Sequence, residues 1–424
     1  MSVGRAAASA PVAPAAAPPA SGHGSLTVRA ARRSDIATIN RLRARAFDLP
    51  EETWPPPDRV TPETLRHTRV LVRARRILSC LTVERHTIRV NGASVSMGGI
   101  RHVATWPEER NRGYASALLA DTLRWMRQQG IAVSILFPAS FRFYRRFGYD
   151  LAGHHCEVWL RPTTLPAFAE ANRCRAATVA DLPALERLYQ ERSAICACAL
   201  ERPPQRWQAL LASPEYRIVV FERSTPAGYL IVSETLDRYG APQTRVHEFL
   251  AIGEEARRGL LGWLARCRSE SLEWCASPGD LVRSGLLASP APLIEGFRPR
   301  IIATVRPMFQ IRIVHLPLAL RALAPTWSGL DAEVGLQVRD ELLRENEVPL
   351  AISAREGTVQ IVEGHLPPHS LVAEIRVISQ LYCGYLTAGE ALSQGLLQGP
   401  PEAIRAADLL FPRLEPFIPD LDRF

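Results

Sequence analysis

The chain has 424 residues, 47% hydrophobic and 22% charged, a composition typical of globular proteins with room for two to four domains. Its net charge of +8 comes from arginines spread along the whole chain, and no nucleic-acid-binding module is recognisable, so we expect no nucleic-acid partner. No run approaches the roughly 18 apolar residues of a membrane span, so we expect no membrane partner either. The eight cysteines lack metal-site spacing, which predicts reduced thiols in a cytoplasmic protein without a metal.

The chain opens with a low-complexity segment, residues 1–25, that is rich in Ala, Pro, Gly and Ser. This segment lacks the Leu- and Val-rich stretch of a signal peptide. Because such a composition offers little apolar surface to bury, we predict a disordered tail.

An internal repeat organises the part of the chain that follows. The segment RAARRSDIATINRL (Arg29–Leu42) returns as RAATVADLPALERL (Arg175–Leu188), at an offset of 175 − 29 = 146 residues. In each copy an Asp, Asp35 or Asp181, stands where a helix N-cap is expected, ahead of apolar residues at helical spacing. The offset is about one domain long, which predicts two tandem α/β domains joined by a Pro-marked linker near Arg161–Arg173.

Within the first copy the pattern predicts a strand, a hairpin turn at Asn91–Gly92, and a second strand. Gly98–Gly99 inside the second strand suggests a bulge or a splay. A helix over Tyr114–Gln129 and a buried strand over Ile131–Phe137 follow. The expected order is therefore strand, turn, helix and parallel strand.

The turn before that helix, EERNRGYAS, places Arg110 and Arg112 where the helix dipole disfavours positive charge. A glycine turn between a strand and a helix directs several backbone N–H groups at one point, an arrangement that suits a pyrophosphate. The two arginines would add charge-assisted hydrogen bonds to the same anion. We therefore predict an anion-binding turn centred on Gly113.

A third segment begins after Gly296–Arg300, near Pro307. Strand-like runs at Pro349–Ala354 and Thr358–Gly364 flank a turn, and an amphipathic segment, Ser379–Leu397, follows. This pattern predicts a smaller α+β domain.

The strand, the R-x-x-G-x-A turn and the helix together resemble the acyl-coenzyme A binding core of the GNAT N-acetyltransferase superfamily. FYRRFGYD (Phe143–Asp150) resembles the superfamily's Tyr-x-x-x-Gly-Tyr/Phe segment, and QLYCGYLTAGEAL (Gln380–Leu392) resembles sterol carrier proteins. The whole layout is similar to that of the enhanced-intracellular-survival-type aminoglycoside N-acetyltransferases. The resemblance implies an α/β (α+β) fold with a catalytic domain over 26–160, a degenerate second copy over 173–300 and a sterol-carrier-protein-like domain over 305–424.

The resemblance also implies roles for particular residues. Tyr144 corresponds to the proton donor, and Phe424, with which the sequence ends, corresponds to the residue whose main-chain carboxylate accepts a proton. Contacts with the co-substrate acetyl-coenzyme A fall on Val103, Ala104, Thr105, Asn111, Arg112, Gly113, Tyr114, Ala115, Ser116, Ala139 and Ser140. Family resemblance further implies a homohexamer.

The second copy lacks the turn motif, because Glu254–Cys267 does not reproduce Arg-x-x-Gly-x-Gly/Ala. We therefore expect this copy to bind no coenzyme and to serve as a scaffold. For the third domain a lipid-carrier role rests on analogy alone. The alternative, in which it delivers the carboxyl terminus into the cleft of the first domain, explains more.

The expected activity is direct transfer of an acetyl group to a primary amine, aminoglycoside-like or otherwise cationic. Arg423 should lower the pKa of a neighbouring carboxylate and repel polycations, which leaves aminoglycosides an open question. Asp48, Glu51 and Glu52 offer acidic positions for a cationic amine. The open alternatives are a polyamine or protein lysine acceptor, a longer acyl donor, and a non-catalytic carrier or scaffold.

Overall fold

The computed structural model describes residues 25–50, 60–62, 64–286, 294–295, 298–299 and 301–424. The predicted tail lies outside these residues except for Ser25, and so do Glu51 and Glu52. The described chain has the expected mixed α/β architecture. It divides into two compact units, one formed by residues up to Val83 with His102–Leu123 and the other by the remainder of the chain.

The first unit contains an antiparallel sheet with helices. Its elements are β1 (Thr27–Ala30), α1 (Ile36–Ala46), β2 (Thr68–Arg73) and parts of β3 (Arg76–Val90), β4 (Ala93–Thr105) and α2 (Tyr114–Gln128), of which the last three continue into the second unit. Strand β2 lies between β1 and β3 and is antiparallel to both. Ile39 and Leu42 of α1 pack with Val70, Cys80 and Trp106 in a buried core.

The two copies of the sequence repeat fold alike at their first turn. Asp35 accepts a hydrogen bond from the backbone N–H three residues before it (2.8 Å) and forms an ion pair with Arg29 (2.6 Å). Asp181 makes the same two contacts at 2.8 Å each, with the N–H three residues before it and with Arg175. The positions of Asp35 and Asp181 had suggested that each carboxylate caps the helix that follows, but neither carboxylate does so. Each one reaches back and closes a 3₁₀ turn that leads into the helix.

The second unit holds strands of four sheets, the smallest of which has two strands. Its strands are β5 (Val133–Leu136), β6 (Asp150–Leu151), β7 (His154–Leu160), β8 (Cys174–Ala176), β9 (Arg217–Phe221), β10 (Gly228–Leu236), β11 (Pro242–Ala251), β12 (Ser271–Ala276), β13 (Ile294–Glu295), β14 (Arg298–Pro299), β15 (Ile301–Pro307), β16 (Gln310–Ile313), β17 (Ala332–Arg339), β18 (Leu350–Arg355), β19 (Thr358–Glu363), β20 (Ser370–Glu374) and β21 (Leu397–Gln398). Its helices are α3 (Phe141–Arg145), α4 (Leu182–Ala194), α5 (Pro204–Ala212), α6 (Glu254–Ala265), α7 (Pro278–Ser284), α8 (Leu316–Leu323), α9 (Ile375–Tyr382), α10 (Ala388–Ser393) and α11 (Pro401–Leu410).

In the second unit's first sheet, β4 pairs with β5 in parallel, and β16 lies between β5 and β6. The predicted hairpin is confirmed, because Asn91 and Gly92 both have positive φ values, 49° and 83°, between β3 and β4. The predicted helix and buried strand are confirmed as α2 and β5. The insertion of β16 could not be predicted from the sequence pattern, because β16 follows the second copy in the chain and is far from β5 in sequence.

The second sheet has the order β15-β7-β12-β11-β10-β9-β8. Strands β11 and β12 run parallel and are linked by α6, which repeats the plan of β4, α2 and β5. Trp274, Leu260 and Val246 belong to the core of this sheet. The second copy is therefore a complete α/β layer of its own.

The third sheet, of order β19-β18-β17-β20-β21, belongs to the expected α+β domain. Its predicted turn is confirmed, because Glu356 and Gly357 have φ values of 50° and 78° between β18 and β19. The amphipathic segment divides into α9 and α10 at a turn where Gly384 has φ 69°. Trp327 fills the core, and its indole N–H donates to the carbonyl oxygen of Leu410 (2.7 Å).

None of the helices in the described part of the chain is long and apolar enough to span a membrane.

Candidate active site

The turn before α2 has the backbone geometry expected of an anion site. Asn111 and Gly113 are left-handed, with φ values of 62° and 77°, and a Cβ on Gly113 would meet no atom within 4 Å. The first bond of the helix runs from the N–H of Ala117 to the carbonyl of Gly113 (2.9 Å). The N–H groups from Gly113 to Ser116 therefore have no partner within the helix, and the helix dipole favours negative charge beside them.

The two arginines of the turn are engaged by groups of the first unit. Arg112 forms an ion pair with Glu109 (2.9 Å), a buried carboxylate that also pairs with Arg76 (2.9 Å). Arg110 donates to the carbonyl oxygen of Ala46 (2.6 Å). The side chain of Arg112 remains half-exposed at 53%, so it can bind an anion without leaving Glu109 unpaired. That Arg112 contacts the pyrophosphate stays a prediction.

The strand residues Val103, Ala104 and Thr105 end β4 within the first unit. The carbonyl oxygen of Ala104 accepts a hydrogen bond from the hydroxyl of Ser79 (2.7 Å). The irregular backbone expected at Gly98–Gly99 lies elsewhere, because these glycines pair in regular register with β5. The left-handed residue of the strand is His102, with φ 51°.

Tyr144 lies in α3, a short helix capped by Ser140, whose hydroxyl accepts from the N–H of Phe143 (3.3 Å). Its side chain is buried at 8% exposure, and burial raises its pKa to about 12. No residue that the structure describes forms a hydrogen bond with the Tyr144 hydroxyl. The Tyr144 hydroxyl can therefore donate a hydrogen bond to a ligand.

Tyr149 has the opposite arrangement, although its ring lies only 6.2 Å from that of Tyr144. Its hydroxyl donates to the hydroxyl of Ser134 (2.7 Å), which in turn donates to the carbonyl oxygen of Gly98 (2.8 Å). Burial raises the pKa of Tyr149 further than that of Tyr144. Tyr149 therefore links α3 and β6 to the strand pair β4–β5, whereas Tyr144 stays available to a ligand.

Phe424, the last residue of the sequence, is packed against the same strand pair. Its ring lies 5.4 Å from the ring of Phe137 and stacks 5.1 Å from the ring of His86. It also covers Gly99, since a Cβ at that glycine would stand 2.4 Å from a ring carbon. Arg423 lies 2.9 Å from the carboxylate of Asp420, which supplies a counter-charge for the cation next to Phe424.

A charged cluster beside Phe424 was missed in the sequence. His86 lies 3.5 Å from Glu84, and Glu84 pairs with Arg101 (3.0 Å). Burial opposes ionisation of Glu84, but His86 and Arg101 outweigh it and lower its pKa to about 2. The signal was present in β3, because residues two apart on a strand face the same side and both of these are polar.

The turn before the second copy's helix differs from the turn before α2. Only Ile252 and Gly253 separate β11 from α6, and the first turn of α6 carries Glu254 and Glu255, which would repel a pyrophosphate. Helix α7 begins after a capping serine, as α3 does, but Leu281 stands where α3 has its tyrosine. That this copy binds no coenzyme stays a prediction.

The predicted site residues divide between the two units. The strand residues and the turn before α2 belong to the first unit, whereas Ala139, Ser140, Tyr144 and Phe424 belong to the second. Among the described residues, no group of three or more His, Cys, Asp or Glu side chains is arranged to hold a metal ion.

Three domain families match successive parts of the chain. Residues 27–152 match an acetyltransferase (GNAT) domain, residues 198–313 match a second acetyltransferase (GNAT) domain, and residues 316–419 match a sterol carrier protein domain. A search of curated proteins gave no significant match.

Solved structures share the whole arrangement. A GCN5-related N-acetyltransferase from Anabaena variabilis is 24% identical with a TM-score of 0.79, and one from Kribbella flavida is 23% identical with a TM-score of 0.78. Eis1 from Mycobacterium abscessus is 22% identical with a TM-score of 0.70. Each similarity covers 94% of this chain and 100% of the other. At these identities the similarity establishes the fold, including its three-part order.

Proposed function

Because the chain belongs to the GNAT family of acetyltransferases, with two such domains before a sterol carrier protein domain, we propose that it transfers an acetyl group from acetyl-coenzyme A directly to a primary amine. The observation that carries this proposal is Tyr144, a buried phenol whose hydroxyl has no hydrogen-bond partner among the described residues. A phenol that no protein group engages is able to donate to a ligand, which supports this role.

The proposed reaction begins when the neutral amine attacks the thioester carbonyl, forming a C–N bond and a tetrahedral oxyanion. Backbone N–H groups at the irregular end of β4, near His102, are suited to stabilise that charge. The C–S bond then breaks and the thiolate leaves. Direct transfer needs no covalent enzyme intermediate.

In this proposal Tyr144 donates a hydrogen bond to the departing sulfur. With a pKa of about 12 the phenol stays protonated across the physiological pH range. A thiol has a reference pKa of about 8.5, so complete proton transfer from the phenol would be uphill. Tyr144 therefore stabilises the developing thiolate and passes on a proton only as the cationic nitrogen of the tetrahedral intermediate loses one.

The acceptor of that proton, in this proposal, is the main-chain carboxylate of Phe424. The reference pKa of such a carboxylate is about 3.3–3.7, so it works best by holding the ammonium and a relaying water. The packing of the Phe424 ring against Phe137 and His86 supports a fixed position for this group.

The coenzyme contacts of the proposal follow the family resemblance. The loop Asn111–Ser116 would hold the pyrophosphate, Val103–Thr105 the acetyl end, and Ala139 with Ser140 the pantetheine arm. We propose a cationic primary amine as acceptor, aminoglycoside-like or a polyamine, in the cytoplasm. The Asp420 counter-charge beside Arg423 reduces the repulsion that a polycation would meet there. A homohexamer is proposed by resemblance, and sedimentation velocity of the purified protein tests it.

The decisive experiment is a release assay for free coenzyme thiol with a panel of aminoglycosides, polyamines and lysine peptides. The intact mass of the protein purified from its natural source first establishes whether the chain ends at Phe424. Activity that falls on appending one alanine, but persists in Phe424→Leu, would support the carboxylate role. If acetyl-coenzyme A neither raises the melting temperature nor loses its thioester, the non-catalytic carrier is the better description.

A further inference from the structure

A buried ion cluster joins the second acetyltransferase domain to the last residues of the sequence. The guanidinium of Arg202, only 1% exposed, contacts Asp422 at 2.7 Å (Nη2–Oδ2) and 2.9 Å (Nε–Oδ1). Its second partner is Glu248, which it binds through both terminal nitrogens. Asp422 is two residues from Phe424, so the position of this carboxylate limits where Phe424 can lie.

Aromatic side chains enclose the cluster. The Arg202 guanidinium lies over the ring of Tyr189 (4.1 Å to the centroid) and beside that of Trp207 (4.9 Å). The Tyr189 hydroxyl lies 3.1 Å from Asp422, and the Tyr229 hydroxyl donates to Glu248 (3.0 Å). Desolvated cation–π and bidentate contacts of this kind fix both the place and the angle of a guanidinium.

Further contacts hold the segment that leads to Phe424. Arg206 donates to the carbonyl oxygen of Leu421, and Arg245 binds the carboxylate of Asp420. The N–H of Phe417 donates to the carbonyl oxygen of Ala197 (2.9 Å). All of these partners come from the second acetyltransferase domain, so the end of the third domain is bound mainly by the second.

The segment lies at the end of the second domain's parallel strand pair. Pairing between β11 and β12 stops at Val246 and Trp274, and beyond it both strands line a cavity with Phe417 and Pro419. In the first copy the corresponding pair, β4 and β5, carries Phe424 at its end. The second copy, which lacks the turn motif, therefore has the segment that leads to Phe424 beside the ends of its own parallel strands.

We propose that the second acetyltransferase domain is the receptor for the segment Phe417–Phe424, with Arg202 as the positioning residue that sets Phe424 for acetyl transfer. The inference rests on the proposed role of Phe424. It gives the degenerate copy a function in the reaction, because a carboxylate misplaced by about 1 Å can cost a hundredfold in rate. Arg202 itself touches no reacting group.

The test uses substitutions that keep charge or shape in the full-length protein. Arg202→Lys keeps the positive charge but loses the planar fork that binds two carboxylates. Asp422→Asn keeps the shape but loses the charge. The matched control is Asp181→Asn, which breaks an ion pair of the same domain, with Arg175, that does not contact the segment.

Two quantities are measured for each variant. The first is the rate at which a carboxypeptidase selective for aromatic ends releases Phe424, followed by intact mass, and the second is kcat with the KM for acetyl-coenzyme A. We expect Arg202→Lys and Asp422→Asn to release Phe424 at least about tenfold faster, and kcat to fall about a hundredfold with KM unchanged. Asp181→Asn should match the parent protein in both.

Release of Phe424 at the parent rate in both Arg202→Lys and Asp422→Asn would overturn the receptor role. Faster release with an unchanged kcat would support the receptor role of the second domain but would contradict the proposed role of Phe424 in the reaction. If Arg202→Lys does not fold, Asp422→Asn compared with Asp181→Asn still decides between these results, because Asp422→Asn leaves Arg202 paired with Glu248.

Discussion

The ring of Phe424 occupies the space that a side chain on Gly99 would need. A Cβ at Gly99 would stand 2.4 Å from the ring's Cε2 atom and 2.5 Å from Cδ2, closer than real carbon atoms approach. Gly99 therefore lets the last residue of the sequence lie directly against β4. The close approach of the Phe424 ring therefore explains the glycine at this position, without a bulge or unusual backbone angles in the strand.

We expect Gly99→Ala to reduce kcat by about ten- to a hundredfold, because the new methyl group must displace the Phe424 ring from its place. Gly98→Ala is the matched control, since its Cβ would meet the flexible end of Met126, at 3.0 Å, and a methyl group of Ile131, at 3.4 Å. Kinetic constants and melting temperatures of both variants check the prediction. Equal kcat values would show that the position of Phe424 has no part in the reaction.

Tyr144→Phe should lower kcat by about a hundredfold or more, because the hydroxyl contributes only when the thiolate departs. The KM for acetyl-coenzyme A should change little. Tyr149→Phe serves as the control, since it removes the bond to Ser134 and should cost about 1–3 kcal/mol of stability without this loss of rate. A Tyr144→Phe enzyme with the parent kcat would assign the proton donor to another group.

Much of the fold followed from local patterns. The hairpin at Asn91–Gly92, the helix α2 and the strand β5 were predictable because turn chemistry and periodicity act over a few residues. The contacts of β16 were not, since this strand joins a sheet whose neighbour, β5, is far earlier in the chain. The carboxylate of Asp35 illustrates a subtler failure, because a cap position does not reveal in which direction the side chain bonds.

The turn around Gly113 yields a prediction about coenzyme binding. Gly113→Ala places a side chain at φ 77°, which strains the turn and distorts the N–H groups that face the anion. Gly130→Ala is closely matched, because Gly130 has φ 67° and equally open surroundings but lies at the other end of α2. We expect similar losses of stability in the two variants, on the order of 1 kcal/mol, and a raised dissociation constant for acetyl-coenzyme A only in Gly113→Ala. Calorimetry measures both, and equal affinities would place the pyrophosphate elsewhere.

The candidate site could be predicted from the sequence only in part, because only some of its signals are local. Residues within one motif, such as Tyr144 and Gly113, carry their own signal. The cluster of Glu84, His86 and Arg101 does not, because its meaning depends on Phe424 being brought against β3 from the other end of the chain.

Glu84 leads to a prediction about acid stability. Its pKa is lowered in the folded protein to about 2 from an ordinary value of 4.5, so the ionised carboxylate stabilises the fold at neutral pH. The sign follows from proton binding, because the unfolded chain takes up a proton at Glu84 more readily than the folded chain does. This contribution is fully present above pH 4.5 and is lost as the pH falls toward 2.

We therefore expect Glu84→Gln to lower the melting temperature at neutral pH, and the difference to shrink progressively as the pH falls below 4.5. Thermal unfolding at a series of pH values provides the measurement. Glu402→Gln is the control, since Glu402 lies in an exposed ion pair with Arg405, where a pH-dependent difference should be small. A difference at Glu84 that persists unchanged to pH 3 would mean that packing, and not the charge shared with His86 and Arg101, accounts for its contribution.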